Sequence, residues 1–465
     1  MPQLESVFLG NNMLTGTVPN ELVELPNLTN ISIKNNLLHG DLNDVLRDNL
    51  YYFNANNNSF SGNLNMSEVL SRNPNLNTLE LKDLKNLRID MTGMTSSIRV
   101  VDFTQCNLSS TSIPETIVDG KSNVMQAFTS SYSQLQGTIP SEIGQLKDLT
   151  TLTLPGNDLT GQLPDTFVEL VNLLSLHLAD NRLSGPLPKN FGKNLVQLSY
   201  LDLSQNLFTG SLPVFESKSL GSVLLHMNRF ARIPANVFEA SGSELQFVTF
   251  ANQDPYVNGK SQHTIILDEG AFSGVNLRRL YPDKYGSGTR LILTGNRIQT
   301  LPAYLFGNKS ISNGSYVDLS NLGIDEIRDN AFAGLSNAYV NLVGNAIKKL
   351  LPTSFPMGSL DRSHQHCVDV EGWHVNVLLY DVVRLTCENV SHEALALQGS
   401  PSCDKINSTW PFCVPLAIGD RGVGGLSALQ ACCTLMFSHH ISILYHHHCS
   451  QEQQQQHNIR SFRWG

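Results

Sequence analysis

Two Gly-Lys-Ser triplets, in "VDGKS" at 118–122 and "VNGKS" at 257–261, are the residues best suited to gripping a phosphate. A phosphate loop also needs a glycine five positions before the second one, so that backbone amides can cradle the anion; Glu115 and Asp254 stand there instead. The run "HEALA" at 392–396 begins like a zinc-protease helix, but Ala396 replaces the second histidine and two ligands cannot share a face. The tail "SHHISILYHHHCSQEQQQQ" gathers histidines around Cys449 without the spacing of a structural zinc site. No Gly-x-Ser-x-Gly elbow and no kinase signature is present, and Asp325-Glu326 reads as a solvated turn. The sequence therefore points to no enzyme, no metal and no cofactor.

Two other residue classes carry covalent chemistry. Cys367, Cys387, Cys403 and Cys413 form one group near the C-terminus, which reads as a disulfide-stapled cap in an oxidising compartment, with four reduced core thiols as the alternative. Nine N-x-S/T triplets, headed by Asn27, Asn30, Asn57, Asn65, Asn107, Asn308, Asn313, Asn389 and Asn407, are candidate glycosylation sites and agree with export. The N-terminus has neither a basic nor an apolar leader segment. No stretch reaches the ~18 apolar residues of a membrane span, so no direct insertion is expected. A formal charge of −9 argues against a nucleic-acid partner, which needs a basic face.

The elements that must position any site come from an internal repeat. The template L-x-x-L-x-L-x-x-N-x-L fits from Leu4, Leu28, Leu50, Leu76, Ile98, Met125, Leu149, Leu173, Leu198, Leu220 and Leu245, and resumes with weaker starts near Gly288, Gly314 and Asn337. Within each unit "LxL" alternates with period two, so its leucines face inward and the residues between them outward. Such strands stack as neighbours in a parallel sheet, about 4.8 Å apart, and about fourteen of them make an arc roughly 65 Å long. The asparagine falls where the chain leaves the sheet, and its amide both donates to and accepts from backbone groups left unpaired by the turn. Asn12, Asn36, Asn58, Asn157, Asn181, Asn206, Asn228, Asn296 and Asn345 hold this place, and Cys106 stands in for it as a structural substitute. Leu84, Leu322 and Ser133 also occupy it, which predicts locally looser turns.

After the asparagine the first part of the array repeats L-x-G-x-hydrophobic-P, as in "LTGTVP" at 14–19, "LQGTIP" at 135–140 and "LSGPLP" at 183–188. From Phe230 the glycine is lost and phenylalanine recurs, as in "NVFEA", "GAFSG", "YLFGN" and "NAFAG". On these motifs residues 4–220 resemble the plant-type extracellular leucine-rich repeats of receptor-like kinases and polygalacturonase-inhibiting proteins, and residues 220–355 resemble the typical class of animal cell-surface repeat proteins. The resemblance implies an α/β fold, a leucine-rich-repeat solenoid shaped as a curved horseshoe with its parallel sheet on the concave face.

The expected organisation is a solenoid over 1–360, with an insertion near 253–287 through "QDPYVNGKSQHT", a cysteine-containing cap over 361–413 and a low-complexity tail over 414–465. Trp373 and Trp410 read as buried plugs of the cap. The first unit begins inside a repeat, exposing Leu4, Val7 and Leu9, so an N-terminal cap and a signal peptide are expected upstream. With no reaction chemistry in view, the outward residues of the sheet are the candidate site. Glu80, Asp102, Thr129, Thr153, His177 and Asp202 form one column, and Lys82, Gln105, Tyr132, Asp180 and Gln205 a second beside it. Such a preformed polar surface suits a protein, peptide or glycan ligand. The resulting expectation is an extracellular or cell-surface, receptor-like scaffold; the other readings are a truncated ectodomain of a receptor kinase and an intracellular repeat adaptor.

Overall fold

The computed structural model describes residues 3–109, 111–118, 123–241, 244–253, 264–277, 290–307, 312–313, 316–336, 339–348, 352–354 and 374–376. The chain divides into two units, Met1–Val377 and Leu378–Gly465, and every described residue lies in the first. Cys367, Cys387, Cys403, Cys413, Trp373, Trp410, Asn308, Asn389, Asn407 and the tail from 414 lie outside the described residues.

Each repeat forms one coil, and each coil contributes one three-residue strand to a parallel sheet. In order these are Ser6–Phe8, Asn30–Ser32, Tyr52–Asn54, Thr78–Glu80, Val100–Asp102, Ala127–Thr129, Thr151–Thr153, Ser175–His177, Tyr200–Asp202, Ser222–Leu224, Phe247–Thr249 and Arg290–Ile292. The middle residue points inward in every strand: Ile31, Phe53, Leu79, Val101, Phe128, Leu152, Leu176, Leu201, Val223 and Val248 are all buried, and they pair in one unbroken register. Val7 and Leu291, in the first and last of these strands, are half-buried. One further three-stranded sheet, Tyr316–Asp318, Tyr339–Asn341 and His374–Asn376 in that order, repeats the parallel pairing, so part of the segment read as a cap carries a strand of the same kind. Phe247–Thr249 pairs directly with Arg290–Ile292, so the long interval after Leu245 is a single coil with extra residues.

The asparagines form the expected ladder. Asn157 donates from Nδ2 to the carbonyl of Leu154 in its own coil at 3.0 Å and to that of Ser130 in the preceding coil at 2.7 Å, while Oδ1 accepts from the backbone of Ser133 and Leu135. Asn36, Asn58, Asn181, Asn206, Asn228, Asn296 and Asn345 repeat the pattern. Where consecutive coils both carry asparagine, the inward carbonyl is thus reached by two amides, its own coil's and the next one's, as at Ile33, Leu154, Leu178 and Leu203. Cys106 fits as a substitute donor, its Sγ 2.9 Å from the Leu81 carbonyl, and burial pushes its thiol up to about 12. Ser133 also keeps the bond, donating to the carbonyls of Phe103 and Ser131, so its turn is not loosened. Gln253 is a further substitute, reaching the carbonyl of Leu225 at 2.8 Å and accepting from the backbone of Phe230. Leu84 and Leu322 cannot donate, but Asn58 and Asn296 still reach the carbonyls of Ala55 and Leu293 from within their own coils. An isolated leucine therefore leaves neither inward carbonyl without a donor, since Cys106 and Asn345 reach those of Leu81 and Leu319.

The residue before each ladder position is left-handed: Asn11, Asn35, Asn57, Asp83, Gln105, Tyr132, Gly156, Asp180, Gln205, Met227, Asn252, Gly295, Asn321 and Gly344 all have φ between 51° and 75°. This conformation turns the chain out of the sheet and costs an ordinary L-residue roughly 1–2 kcal/mol, which explains the bias to Asn, Asp, Gln and Gly.

The segments that follow the ladder position, L-x-G-x-x-P in about half of the coils, do more than turn. They pair into a second layer, one sheet over Thr15–Gly16, Leu37–Asp41, Ser59–Asn65 and Asn86–Asp90, another over Gln136–Thr138, Asp158–Gly161, Arg182–Pro186, Leu207–Ser211, Arg229–Ile233 and Ile266–Leu267. Gly185, at φ 77°, shows the need for glycine, since a methyl group there would stand 2.6 Å from the Gln162 side chain. Proline then sets φ for a short 3₁₀ turn, as at Pro140 before Ser141–Gln145 and Pro164 before Asp165–Glu169. Between the layers the recurrent phenylalanines stack in the core, Phe208 on Phe230 on Phe250 at 6.2 and 6.0 Å, and Phe215 on Phe238 at 5.7 Å.

The shared carbonyl makes a specific prediction. Asn206→Ala removes the acceptor for the buried Leu183 N–H but leaves the Leu178 carbonyl bonded to Asn181, so it is expected to cost about 2–3 kcal/mol. Adding Asn181→Ala strips that carbonyl of both amides, and the double variant is expected to lose about 1–2 kcal/mol beyond the sum. Urea denaturation of the four proteins measures this, and simple additivity would contradict the sharing.

Candidate functional site

The outward positions of the sheet form straight columns because the pairing never slips. Glu80, Asp102, Thr129, Thr153, His177 and Asp202 occupy the same register position in successive strands, as the alternation implied. Gln105, Tyr132, Asp180 and Gln205 line the left-handed column beside them. Lys82 does not: Asp83 holds its coil's left-handed position, and Lys82 stands one residue earlier, level with Thr104 and Ser131, whose carbonyls accept from the left-handed residues of the preceding coils, Asp83 and Gln105, as that of Lys82 does from Asn57. The missing asparagine at Leu84 hid that one-residue offset.

Two polar networks punctuate the face. In the first, Asn54 donates to Glu80 Oε2 and, at 3.3 Å, to the Tyr52 hydroxyl, which itself donates to Glu80 at 3.3 Å. Burial, reinforced by the Glu80 charge and opposed by Asn54, raises the Tyr52 phenol above its ordinary value. The second centres on Asp202, only 5% exposed. Its Oδ1 accepts from the Ser204 backbone at 3.0 Å and the Ser204 hydroxyl at 2.6 Å, and its Oδ2 faces His177 Nε2 at 3.2 Å and the Tyr200 hydroxyl at 3.4 Å. The His177 and Tyr200 rings meet edge-on at 6.0 Å. Burial works to raise the Asp202 carboxyl, but the bonds from His177 and Ser204 outweigh it and hold the group below the usual carboxylate range. Burial and the adjoining Asp202 charge raise the Tyr200 phenol.

Two of the column's acids also have a structural task. Asp102 Oδ1 accepts from the Thr104 backbone at 2.9 Å just as Asp202 does from Ser204, closing the turn where each strand ends. Between the networks the column narrows to the hydroxyls of Thr129 and Thr153, with Ala127, Thr151 and Ser175 beside them. Tyr52, Asn54, Tyr200 and Met227 belong to this surface too; the template already placed them at outward positions, but their chemistry shows only once neighbouring coils meet. At the margin where the chain enters the strands, Gln126, Thr150, Leu174, Asp148, Asn172 and Gln197 line a shallow open groove.

The candidate glycosylation sites fall in different surroundings. Asn27 and Asn57 are exposed. Asn30 is half-buried on the sheet and donates to Ser6 Oγ, and Asn65 caps the helix Met66–Arg72 while donating to Asp90. Asn107 is half-buried and its Oδ1 accepts from the Ser109 backbone, whereas Asn313 lies in the short strand Ser312–Asn313. Among the described residues no group of three His, Cys, Asp or Glu side chains gathers as a metal site, and no helix is long and apolar enough to cross a membrane.

Comparison with known proteins agrees with this architecture. The Leucine Rich Repeat family model matches residues 172–194. Receptor-like protein 39 of Arabidopsis thaliana is 36% identical over 228 residues, 49% of this chain and 23% of that protein, so the chain spans about a quarter of the relative's length. Among solved structures, the Arabidopsis receptor kinase HAESA, crystallised with the peptide hormone IDA and the co-receptor SERK1, is 25% identical over 52% of this chain and 41% of its own, with a TM-score of 0.44. The ectodomain of the Arabidopsis thaliana receptor kinase GASSHO1/SCHENGEN3, in complex with CASPARIAN STRIP INTEGRITY FACTOR 2, is 22% identical over 74% of this chain and 40% of its own, with a TM-score of 0.47. The chain folds as a leucine-rich-repeat solenoid.

The Asp202 network gives a pH dependence whose sign is fixed. A carboxyl held below its unfolded value stabilises the fold fully above about pH 4, and that stabilisation is lost as the pH falls through the lower folded value. Asp202→Asn is expected to cost about 1–3 kcal/mol at neutral pH and to flatten the decline of stability at acid pH. Denaturation midpoints of both proteins across the acid range check this; parallel declines would show that the group is not the source.

Proposed function

We propose that this leucine-rich-repeat solenoid is a non-catalytic, receptor-like recognition scaffold that works outside the cell and holds a protein, peptide or glycan ligand on the face of its sheet. The observation that carries the reading is the face itself, with outward side chains in register over many coils and its two networks already hydrogen-bonded. A partner meeting such a surface loses little more by ordering it, so contact energy goes into affinity. The chemistry of the face supports binding without turnover: the Ser204 hydroxyl and the His177 imidazole meet different oxygens of Asp202, so the imidazole is not set against that hydroxyl to draw its proton. Similarity over half the chain to a protein named as receptor-like supports the class. In this reading Glu80, Lys82, Asp102, Gln105, Tyr132, His177, Asp180, Asp202 and Gln205 supply ligand contacts, exposed Asn27 and Asn57 accept glycans, and Cys367, Cys387, Cys403 and Cys413 pair as disulfides.

The test is to secrete the full chain behind an added leader and screen it against random peptides and oligosaccharides. A ligand so recovered is expected to bind about tenfold or more weakly to the His177→Ala/Tyr200→Ala double variant, to be unaffected by Lys193→Ala, an exposed side chain of the short helix Phe191–Asn194 outside the sheet, and to be returned chemically unchanged. A ligand sensitive to Lys193 and indifferent to the sheet, or one that is turned over, would remove the reading.

A further inference from the structure

The left-handed column holds Asn, Asp, Gln or Gly in every described coil except two, where Tyr132 and Met227 adopt φ of 52° and 56°. Large side chains without a turn-forming amide or carboxylate are the wrong residues for this conformation, and such strain persists where it serves a purpose. Burial does not repay it, because Tyr132 is 60% exposed and Met227 37%. The tyrosine ring is nonetheless held in place. It covers the next coil's left-handed residue, Gly156, where a methyl group would stand only 2.1 Å from Tyr132 Cδ1. The glycine at that position is therefore what lets the aromatic ring lie down along the rim.

The two side chains are in the same column, and the backbone bonds that link Tyr132 to Pro155, Gly156 to Ala179, Asp180 to Ser204 and Gln205 to His226 show that four coil steps separate them. At about 4.8 Å per step they stand about 19 Å apart, which matches six residues of extended chain at about 3.3 Å each. An even offset also brings both side chains of such a segment to the same face. Midway lies Asp180, exposed and without a side-chain partner among the described residues.

We infer that Tyr132 and Met227 are paired anchors for one extended polypeptide segment laid across the coils, with large apolar residues at positions i and i+6 and, on the same face at i+2 or i+4, a lysine or arginine long enough to reach Asp180. The inference rests on the sheet-face reading and narrows it to a peptide of stated pattern. Charge complementarity at Asp180 and the matched spacing select this occupant over a sugar.

The full chain, secreted as above, is panned against a randomised nonapeptide library with an oligosaccharide array in parallel. Enriched peptides are expected to carry bulky apolar residues six apart with a basic residue between. Tyr132→Asn and Met227→Asn should each weaken an enriched peptide about tenfold or more, each relaxing selection at a different one of the two positions, while neither lowers the thermal midpoint because asparagine suits the left-handed backbone. Asp180→Asn should remove the preference for the basic residue. Peptides that are lost on the His177→Ala/Tyr200→Ala variant but bind the two rim variants normally would overturn this inference and leave the sheet-face reading intact. Retention of oligosaccharides alone, or a midpoint lowered in both rim variants, would also overturn it, and retention of neither ligand class would sink both readings.

Discussion

The structure depends on one buried bond shared between neighbours. Where each coil leaves the sheet, a carbonyl points into the interior, and no strand partner reaches it. The ladder supplies two donors, one from the same coil and one from the next, as at Leu178, which Asn181 and Asn206 both reach. Coil-to-coil spacing at this corner is thereby fixed by side-chain length rather than by the length of the repeat. That is why the interval from Gln253 to Asn296 can span 43 residues and still join the ladder at 2.8 Å. It is also why a thiol, a hydroxyl and a longer amide are accepted in place of asparagine, and why a leucine is accepted singly.

The same corner creates the recognition surface. Turning the chain out of the sheet requires a left-handed residue followed by an inward amide, so the coil presents its next side chain at a fixed angle to solvent. Columns of outward residues are the by-product of a register that the core cannot afford to lose. Some of those residues serve the scaffold as well as the surface: Asp102 and Asp202 close their turns with one oxygen and leave the second toward the face. Removing such a side chain disturbs both tasks, whereas Tyr132 and Met227 contribute nothing to the turn and burden it.

The repeat was legible because its apolar spacing and its asparagine obey elementary geometry, and the columns followed from strand alternation. What escaped the linear reading depends on contacts between coils. The second layer of strands needed the knowledge that L-x-G-x-x-P segments of neighbouring coils would come within pairing distance, and the glycine and proline alone suggested only a turn. Gln253 was concealed because the long interval after it seemed to begin the insertion, although its amide does the work of an asparagine. Lys82 was set one residue out of line since Leu84 gave no polar landmark from which to count. The left-handed strain at Tyr132 has no sequence signal except the contrast with its column, visible only after the columns are aligned.

The outer layer is not continuous. Its four-stranded part ends at Asn86–Asp90 and its six-stranded part begins at Gln136–Thr138, and among the described residues the coil between them, which carries Cys106, pairs with its neighbours in this layer through two isolated bridges, Arg88 with Asn107 and Ser112 with Gln136. That coil also departs from the glycine motif, reading "LSSTSIP" at 108–114. With so little pairing in the described outer layer there, the inner sheet carries most of the coil-to-coil connection between residues 90 and 136, and bending is expected to concentrate beneath the Asp102 strand.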